Sequence, residues 1–144
     1  VSLCECVGAR LRRMGMRAGV LTLELRSPEL SWISHRRCLA RHTDCDRELL
    51  ETALGLLREA HEWPAPLRSL AVRAEGLIPS AAPEQLDLFT DRADLERQRR
   101  LDAAVDRLRG RFGSGAVQRG AVFADPEMAV PPAQEEFSFV RKLG

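Results

Sequence analysis

The sequence predicts an α+β fold, in which an antiparallel sheet carries two helices packed on one of its faces. Alternation of apolar and polar side chains indicates strands in residues 20–26 and 67–77. Apolar residues spaced three and four apart indicate amphipathic helices in residues 3–16 and in the stretch after Thr43. Because each element has one apolar side, packing the helices as a single layer on one face of the sheet buries the apolar sides of all elements.

Composition is typical of a globular protein with one domain and appendages. The chain has 144 residues, of which 30% are charged and 44% hydrophobic. Since no apolar run approaches the roughly 20 residues of a membrane span and no signal peptide is present, we expect a cytoplasmic protein without a membrane partner. Of the 22 basic residues only Lys142 is a lysine. Arginine suits bidentate phosphate binding, although a GC-rich genome produces the same bias.

The first half of the chain supplies the predicted sheet. In residues 20–26, Leu21, Leu23 and Leu25 face the core, and Thr22, Glu24 and Arg26 face away. A second strand is expected from about Trp32 to Ala40, but its pattern does not fix which side chains share a face. A helix then begins at a capping pattern, Thr43 to Asp46, and ends before Pro64.

The second half predicts a further helix and a tail. Residues 94–111 have the spacing of a third amphipathic helix, with an apolar row of Leu101, Ala104, Val105, Leu108 and Phe112. Its acids Asp102 and Asp106 are expected on a solvated face. Residues 116–123 suggest a short strand, and a linker with prolines and glutamates leads to a late apolar segment at 137–140.

The four cysteines do not have the spacing of a zinc site. Cys4 and Cys6 are separated by one residue rather than two, and no histidine has ligand spacing around them. We expect reduced thiols without a disulfide. The competing hypothesis is a small metal-dependent regulator that uses Cys38, His42 and Cys45.

Residues 85–89 form an apolar cluster too short for a core helix. They read Gln85, Leu86, Asp87, Leu88 and Phe89, with turn-forming residues on both sides. An exposed peptide of this kind binds by burying a few anchors in the groove of a partner. The cluster resembles the QL(S/D)LF peptide by which bacterial replication and repair proteins hold the sliding clamp. The alternative is that Leu86, Leu88 and Phe89 fold back on their own domain.

The order of several motifs resembles one family. Arg10 to Arg12, the strand 20–26, the pair Ser34 and Arg36, and the segment 67–77 follow one another as in the little finger domain of Y-family translesion DNA polymerases. In DinB- and UmuC-like bacterial members, a Gln-Leu-x-Leu-Phe peptide is followed by a helix similar to residues 101–113. The resemblance covers roughly residues 3–123.

This resemblance implies a sheet laid across the major groove of template-primer DNA, with contacts to phosphates rather than base edges. The matching positions make Ser34, Arg36, Arg37, Arg68, Ser69 and Arg73 the candidate DNA-binding residues. Gln85, Leu86, Asp87, Leu88 and Phe89 are the candidate clamp-binding residues. Ala71 stands where relatives often carry glycine. The implied role is in DNA repair, damage tolerance and the SOS response, with template-primer DNA and the sliding clamp as partners.

The resemblance also divides the chain into parts. We expect a little finger domain in 1–79, a linker with the clamp-binding peptide in 80–93, a helix-strand extension in 94–124 and a tail in 125–144. We expect the first strand of the family to be missing and residues 137–140 to pair in its place, within one copy or between copies. No motif matches the palm carboxylates that hold Mg²⁺ in a parent polymerase. We therefore expect a fragment without its own cofactor or activity, from a polymerase or from a non-catalytic adaptor.

Overall fold

The computed structural model describes residues 1–62, 65–83 and 91–121, and these form an α+β fold as expected. The elements are α1 (Ser2–Met14), β1 (Met16–Arg26), β2 (Trp32–Thr43), α2 (Asp46–Ala60), β3 (Ser69–Pro79) and α3 (Arg92–Phe112). The three strands form one antiparallel sheet in the order β2-β1-β3. β1 is therefore the central strand, and both of its neighbours in the sheet follow it in sequence.

The alternation of β1 sets which face of the sheet is buried. Leu21, Leu23 and Leu25 are at most 3% exposed and lie under α1 and α2. They pack with buried residues of the two helices, among them Leu11 and Leu49. Burial of one large aliphatic side chain contributes about 1.5–3 kcal/mol, so this row is the main attachment of the helix layer to the sheet.

β1 and β2 are longer than the sequence pattern indicates, whereas β3 has the expected eleven residues but lies two positions later in the chain. β1 begins at Met16, which pairs with Pro79, and a register shift against β2 falls between Ala18 and Val20. The shift lets Ala18 and Leu21, three residues apart, both enter the core. Gly15 lies at φ 63°, and its N–H donates to the Arg12 carbonyl at 3.1 Å. This left-handed cap ends α1 and turns the chain directly into β1.

α3 is attached to the first two helices mainly through charged side chains. Arg12 of α1 donates to both carboxylate oxygens of Asp106, at 2.6 and 3.0 Å, and to Asp46 Oδ1 at 2.9 Å. Asp102 accepts the backbone N–H of Asp46 at 3.1 Å. Together with three further residues these side chains form what we call the interhelix charge cluster: Glu5, Arg12, Asp46, Asp102, Asp106, Arg109 and Arg119.

The orientation of α3 differs from the expectation for its acidic residues. Asp102 is only 2% exposed and the Asp106 side chain 28%, so the expected solvated face is wrong. The apolar row instead faces outward at Leu101, Leu108 and Phe112. The reason is that Arg12 and Arg119, which lie outside α3, pair with the acids, and this fixes the rotation of the helix.

The segment after α3 is not a strand where the structure describes it. Residues 114–117 are turns and bends, residues 118–119 are irregular, and residues 120–121 begin a short 3₁₀ turn. The expected strand at 116–123 is therefore wrong for residues 116–121. The Val117 carbonyl accepts two hydrogen bonds from the Arg109 guanidinium, at 2.7 and 2.9 Å, which holds this segment against α3. The expected pairing of residues 137–140 lies outside the described residues.

Candidate nucleic-acid interface

One face of the sheet is not covered by a helix among the described residues, and we call it the open face. It carries the β1 side chains that alternate with the buried leucines, and their cross-strand partners lie on the same face. From β1 these are Val20, Thr22, Glu24 and Arg26; from β2, Cys38, Arg36, Ser34 and Trp32; from β3, Glu75, Arg73, Ala71 and Ser69. Three arginines and two glutamates give this face a small positive charge.

The structure brings together four of the six candidate DNA-binding residues. Ser34 and Arg36 of β2 and Ser69 and Arg73 of β3 all lie on the open face. Arg36 and Arg73 are opposite each other across Thr22, and their side chains are 67% and 58% exposed. A flat row with small side chains around exposed arginines is accessible to a large, flat polyanion.

The other two candidates lie elsewhere. Arg37 is on the helix side of the sheet, where its guanidinium pairs with Glu59 of α2. The family resemblance makes both Arg36 and Arg37 candidates, but adjacent residues of a strand point to opposite faces of the sheet. Arg68 is exposed just before β3, and its backbone N–H extends the ladder by donating to the Arg26 carbonyl at 2.9 Å.

Glu24 and Glu75 hold the exposed arginines of the open face. Arg73 pairs with Glu24, and its Nη1 lies 3.7 Å from Glu75 Oε1. Arg36 Nη2 lies 3.8 Å from Glu75 Oε2. Thr22, only 4% exposed, donates its hydroxyl to Glu75 at 2.9 Å and so fixes that carboxylate. Sequence alternation places both glutamates on this face, but the pairing depends on cross-strand register, which the sequence does not contain.

At one end of the open face Arg26 lies over the Trp32 ring, with its guanidinium carbon 5.2 Å from the ring centroid. Trp32 is 54% exposed, so one side of the indole remains in contact with solvent. This cation–π contact orders the long Arg26 side chain at the end of the sheet. No pattern in the sequence indicates a role for Trp32 in this contact.

The interhelix charge cluster lies away from the open face and serves the packing of α3. Burial raises the pKa of Asp46 to about 6, even though the hydrogen bond from Arg12 acts in the opposite direction. Burial alone would lower the pKa of Arg12, but its hydrogen bonds to Asp106 and Asp46 outweigh that effect and raise it. Arg12 therefore stays charged, and Asp46 is the group of this pair that titrates near neutral pH.

The described residues contain no cluster of three histidine, cysteine, aspartate or glutamate side chains arranged to hold a metal ion. Cys38 is exposed on the open face, whereas Cys45 is buried next to α2, where burial raises its thiol pKa. Within the same part of the chain, no helix is long and apolar enough to cross a membrane. The candidate clamp-binding residues Gln85, Leu86, Asp87, Leu88 and Phe89 lie outside the described residues.

The sequence of this chain matches a known protein family. Residues 1–88, which include all three strands and both helices of the sheet layer, match the impB/mucB/samB family C-terminal domain. The chain belongs to this family. It is the C-terminal domain family of Y-family polymerases, as the sequence motifs suggested.

Individual relatives agree with the family match. The chain is 34% identical over 125 residues to a protein of Acetivibrio thermocellus, 36% over 120 residues to one of Moorella thermoacetica and 38% over 123 residues to one of Caulobacter vibrioides. All three are named DNA polymerase IV. The alignments cover 85, 83 and 82% of this chain but only 31, 29 and 28% of the relatives. The chain thus spans about three-tenths of the length of these relatives.

Proposed function

We propose that this chain is the DNA-contacting and clamp-tethering C-terminal part of a translesion DNA polymerase that acts in DNA repair. The observation that carries the proposal is the open face, which exposes Arg36 and Arg73 among small side chains. Membership of the impB/mucB/samB family supports the polymerase class. The name DNA polymerase IV, shared by the relatives, favours an active parent polymerase over a non-catalytic adaptor.

The open face suits contact with the sugar-phosphate backbone rather than with bases. Arg36 and Arg73 are two strand spacings apart, or about 10 Å, so they reach separate phosphates. Ser34, Ala71 and Ser69 beside them are small, so the strands themselves can approach the duplex. A sheet that binds phosphates positions DNA without reading its sequence, which is what extension of an arbitrary template requires.

The chain's own part in this function is binding. Transfer of a nucleotide in this class of enzyme uses metal ions held by paired carboxylates. Nucleotide transfer with Mg²⁺ is proposed only for the longer protein, by analogy with relatives of which this chain spans three-tenths.

Duplex binding is tested with a fluorescein-labelled primer-template and anisotropy at several salt concentrations. Replacing Arg36 and Arg73 together by glutamine removes two phosphate contacts, so the slope of log affinity against log salt should become shallower by about 2. The matched control replaces Arg13 and Arg58, exposed arginines of the helix layer, and removes the same charge. If both double variants lose affinity and slope equally, the open face is not the binding surface.

Clamp tethering rests on the sequence resemblance of residues 85–89. In the full chain, Leu88→Ala together with Phe89→Ala should abolish binding to the bacterial sliding clamp, because each anchor contributes about 1.5–3 kcal/mol when buried. Duplex affinity should change less than twofold. A linked second attachment raises the local concentration of the domain at the primer end. Clamp affinity that survives the double substitution would show that the peptide is not the tether.

A further inference from the structure

The outward side of α3 carries a row of four exposed arginines. Arg97, Arg100, Arg107 and Arg111 fall, at 3.6 residues per turn, within an arc of about 80°. The centre of that arc is about 180° from Asp102, which faces α1 and α2. We call this side the outer face of α3. It runs about 21 Å from Arg97 to Arg111 along the helix axis.

This charge is only partly neutralised by the rest of the described chain. Three of the four acids of α3 are engaged elsewhere, since Asp94 pairs with Arg47, and Asp102 and Asp106 belong to the interhelix charge cluster. The fourth, Glu96, is exposed about 20° around the helix from Arg107, so the face keeps an excess of positive charge. Among the described residues, no carboxylate forms an ion pair with Arg97, Arg100 or Arg107. The open face is the opposite case, because glutamates pair with Arg36 and Arg73 there. The outer face of α3 is thus the more available anion-binding surface.

An apolar edge runs along the same side of the helix. Leu101, Leu108 and Phe112 are 48, 43 and 63% exposed. The Arg111 guanidinium carbon lies 5.0 Å from the centroid of the Phe112 ring, so these two side chains place a cation against an exposed aromatic ring at the end of the helix. Arginines that bind phosphates beside an aromatic ring that stacks on bases are the pattern of single-strand-binding surfaces.

We propose that the outer face of α3 binds single-stranded DNA, at a site separate from the open face. Four exposed arginines, none of which forms an ion pair with a carboxylate of the described residues, favour a polyanion, and a strand of DNA supplies a phosphate roughly every 3.4 Å of its axis in the stacked form, enough for all four over 21 Å. A duplex satisfies the arginines but leaves Leu101, Leu108 and Phe112 in contact only with charged backbone. Unpaired bases cover that apolar edge, and this favours the single strand. The proposal does not depend on duplex binding by the sheet.

The test measures binding of fluorescein-labelled dT20 and of a 20-base-pair duplex to the full chain between 50 and about 200 mM salt. Three substitutions together, Arg97→Gln, Arg100→Gln and Arg107→Gln, should weaken dT20 binding about tenfold or more at the lowest salt. The slope of log affinity for dT20 against log salt concentration should become shallower by about 2. The matched control replaces Arg13, Arg58 and Arg92, exposed arginines outside the outer face, and should have a much smaller effect.

A second variant separates base stacking from charge. Phe112→Ala should weaken dT20 binding about fivefold or more but duplex binding less than twofold, because only unpaired bases stack on an aromatic ring. Leu54→Ala, at an apolar side chain of α2 that is 39% exposed, serves as its control. All of these side chains are exposed, and unchanged thermal unfolding verifies that each variant folds.

Three outcomes would overturn the proposal. The first is equal loss of dT20 affinity in the two triple-arginine variants, which would indicate a general charge effect. The second is loss of dT20 and duplex binding to the same extent in Phe112→Ala. In the third, poly-L-glutamate binds as tightly as dT20 and is equally sensitive to Phe112→Ala, which would assign the face to an acidic protein. Loss of duplex binding on changing Arg36 and Arg73, by contrast, bears only on the open face.

Discussion

Replacement of Arg12 by methionine tests whether the interhelix charge cluster holds α3 in place. The Arg12 guanidinium contacts Asp106, Asp46 and the Asp44 carbonyl at 2.6–3.0 Å, and its side chain is only 13% exposed. Methionine keeps most of the aliphatic stem but leaves these carboxylates without their shared cation. Removal of one partner from a buried ion pair costs about 3–5 kcal/mol, and the partial exposure here places the expected loss near about 3 kcal/mol.

This loss should appear first as undocking of α3 rather than as global unfolding. Among the described residues of α3 only Leu95 and Asp102 are buried, so apolar contacts contribute little to holding the helix. We expect amide hydrogen exchange of α3 to accelerate by about 100-fold, the equivalent of about 3 kcal/mol, while the β1 amides keep most of their protection. Hydrogen exchange followed by mass spectrometry measures both in one experiment.

Two comparisons decide the outcome. Arg13→Met changes the next residue of α1, an exposed arginine, and should shift α3 exchange by less than about 0.5 kcal/mol. Adding Asp106→Asn to Arg12→Met removes one unpaired charge and should restore part of the lost protection. Unchanged α3 exchange in Arg12→Met, or a change no larger than that of Arg13→Met, would refute the role of the cluster.

Three further predictions concern stability and are read from urea unfolding. Burial raises the pKa of Asp46 from 3.8 to about 6, so the free energy of unfolding should fall by up to about 3 kcal/mol as the pH rises through that interval. Asp46→Asn lacks this titration and should therefore become more stable relative to the parent between pH 4 and 7. A relative loss of stability over that range would contradict this. Gly8→Ala should destabilise by about 1–3 kcal/mol, since its Cβ would lie 2.0 Å from Asp46 Oδ1 and 3.2 Å from the Asp44 carbonyl oxygen. Gly110→Ala, at a helical position with open space around it, should stabilise the fold by about 0.5–1 kcal/mol. If the two substitutions change stability alike, a close contact at Gly8 is not the cause.

The sheet and its helix layer were predictable because their signals are local. The alternation of residues 20–26 predicted the buried row of β1, and the three- to four-residue spacing predicted α1 and α2. The extension of β1 back to Met16 was not predictable in this way. Gly15 and Gly19 indicate the end of the first helix; the structure uses Gly15 as the cap of that helix but places Gly19 inside β1, at a register shift.

The rotation of α3 was mispredicted because it depends on distant partners. An amphipathic pattern says that two sides of a helix differ, and the usual inference is that the apolar side is buried. Here Asp106 reaches Arg12, which is 94 positions away in the chain, and Asp102 receives the amide of Asp46. Such pairs require the tertiary structure before they can be recognised.

The open face shows the same limit at the scale of single residues. Resemblance to a family selected Ser34, Arg36, Ser69 and Arg73, which the structure does bring together. It could not choose between Arg36 and its neighbour, since the mixed pattern of the second strand does not reveal which residues point to which side. The pairing of Arg36 with Thr22 across the strands settles that question.

The glutamates of the open face have a consequence for how any anion is exchanged there. Arg73 is already held between Glu24 and Glu75, so its long side chain has lost much of its rotational freedom before a ligand arrives. A phosphate that bound Arg73 would replace a carboxylate as its partner instead of filling an empty place. The ordering cost would be small and so would the net gain, a combination that favours brief contacts and rapid transfer from one phosphate to the next over a long residence at any of them.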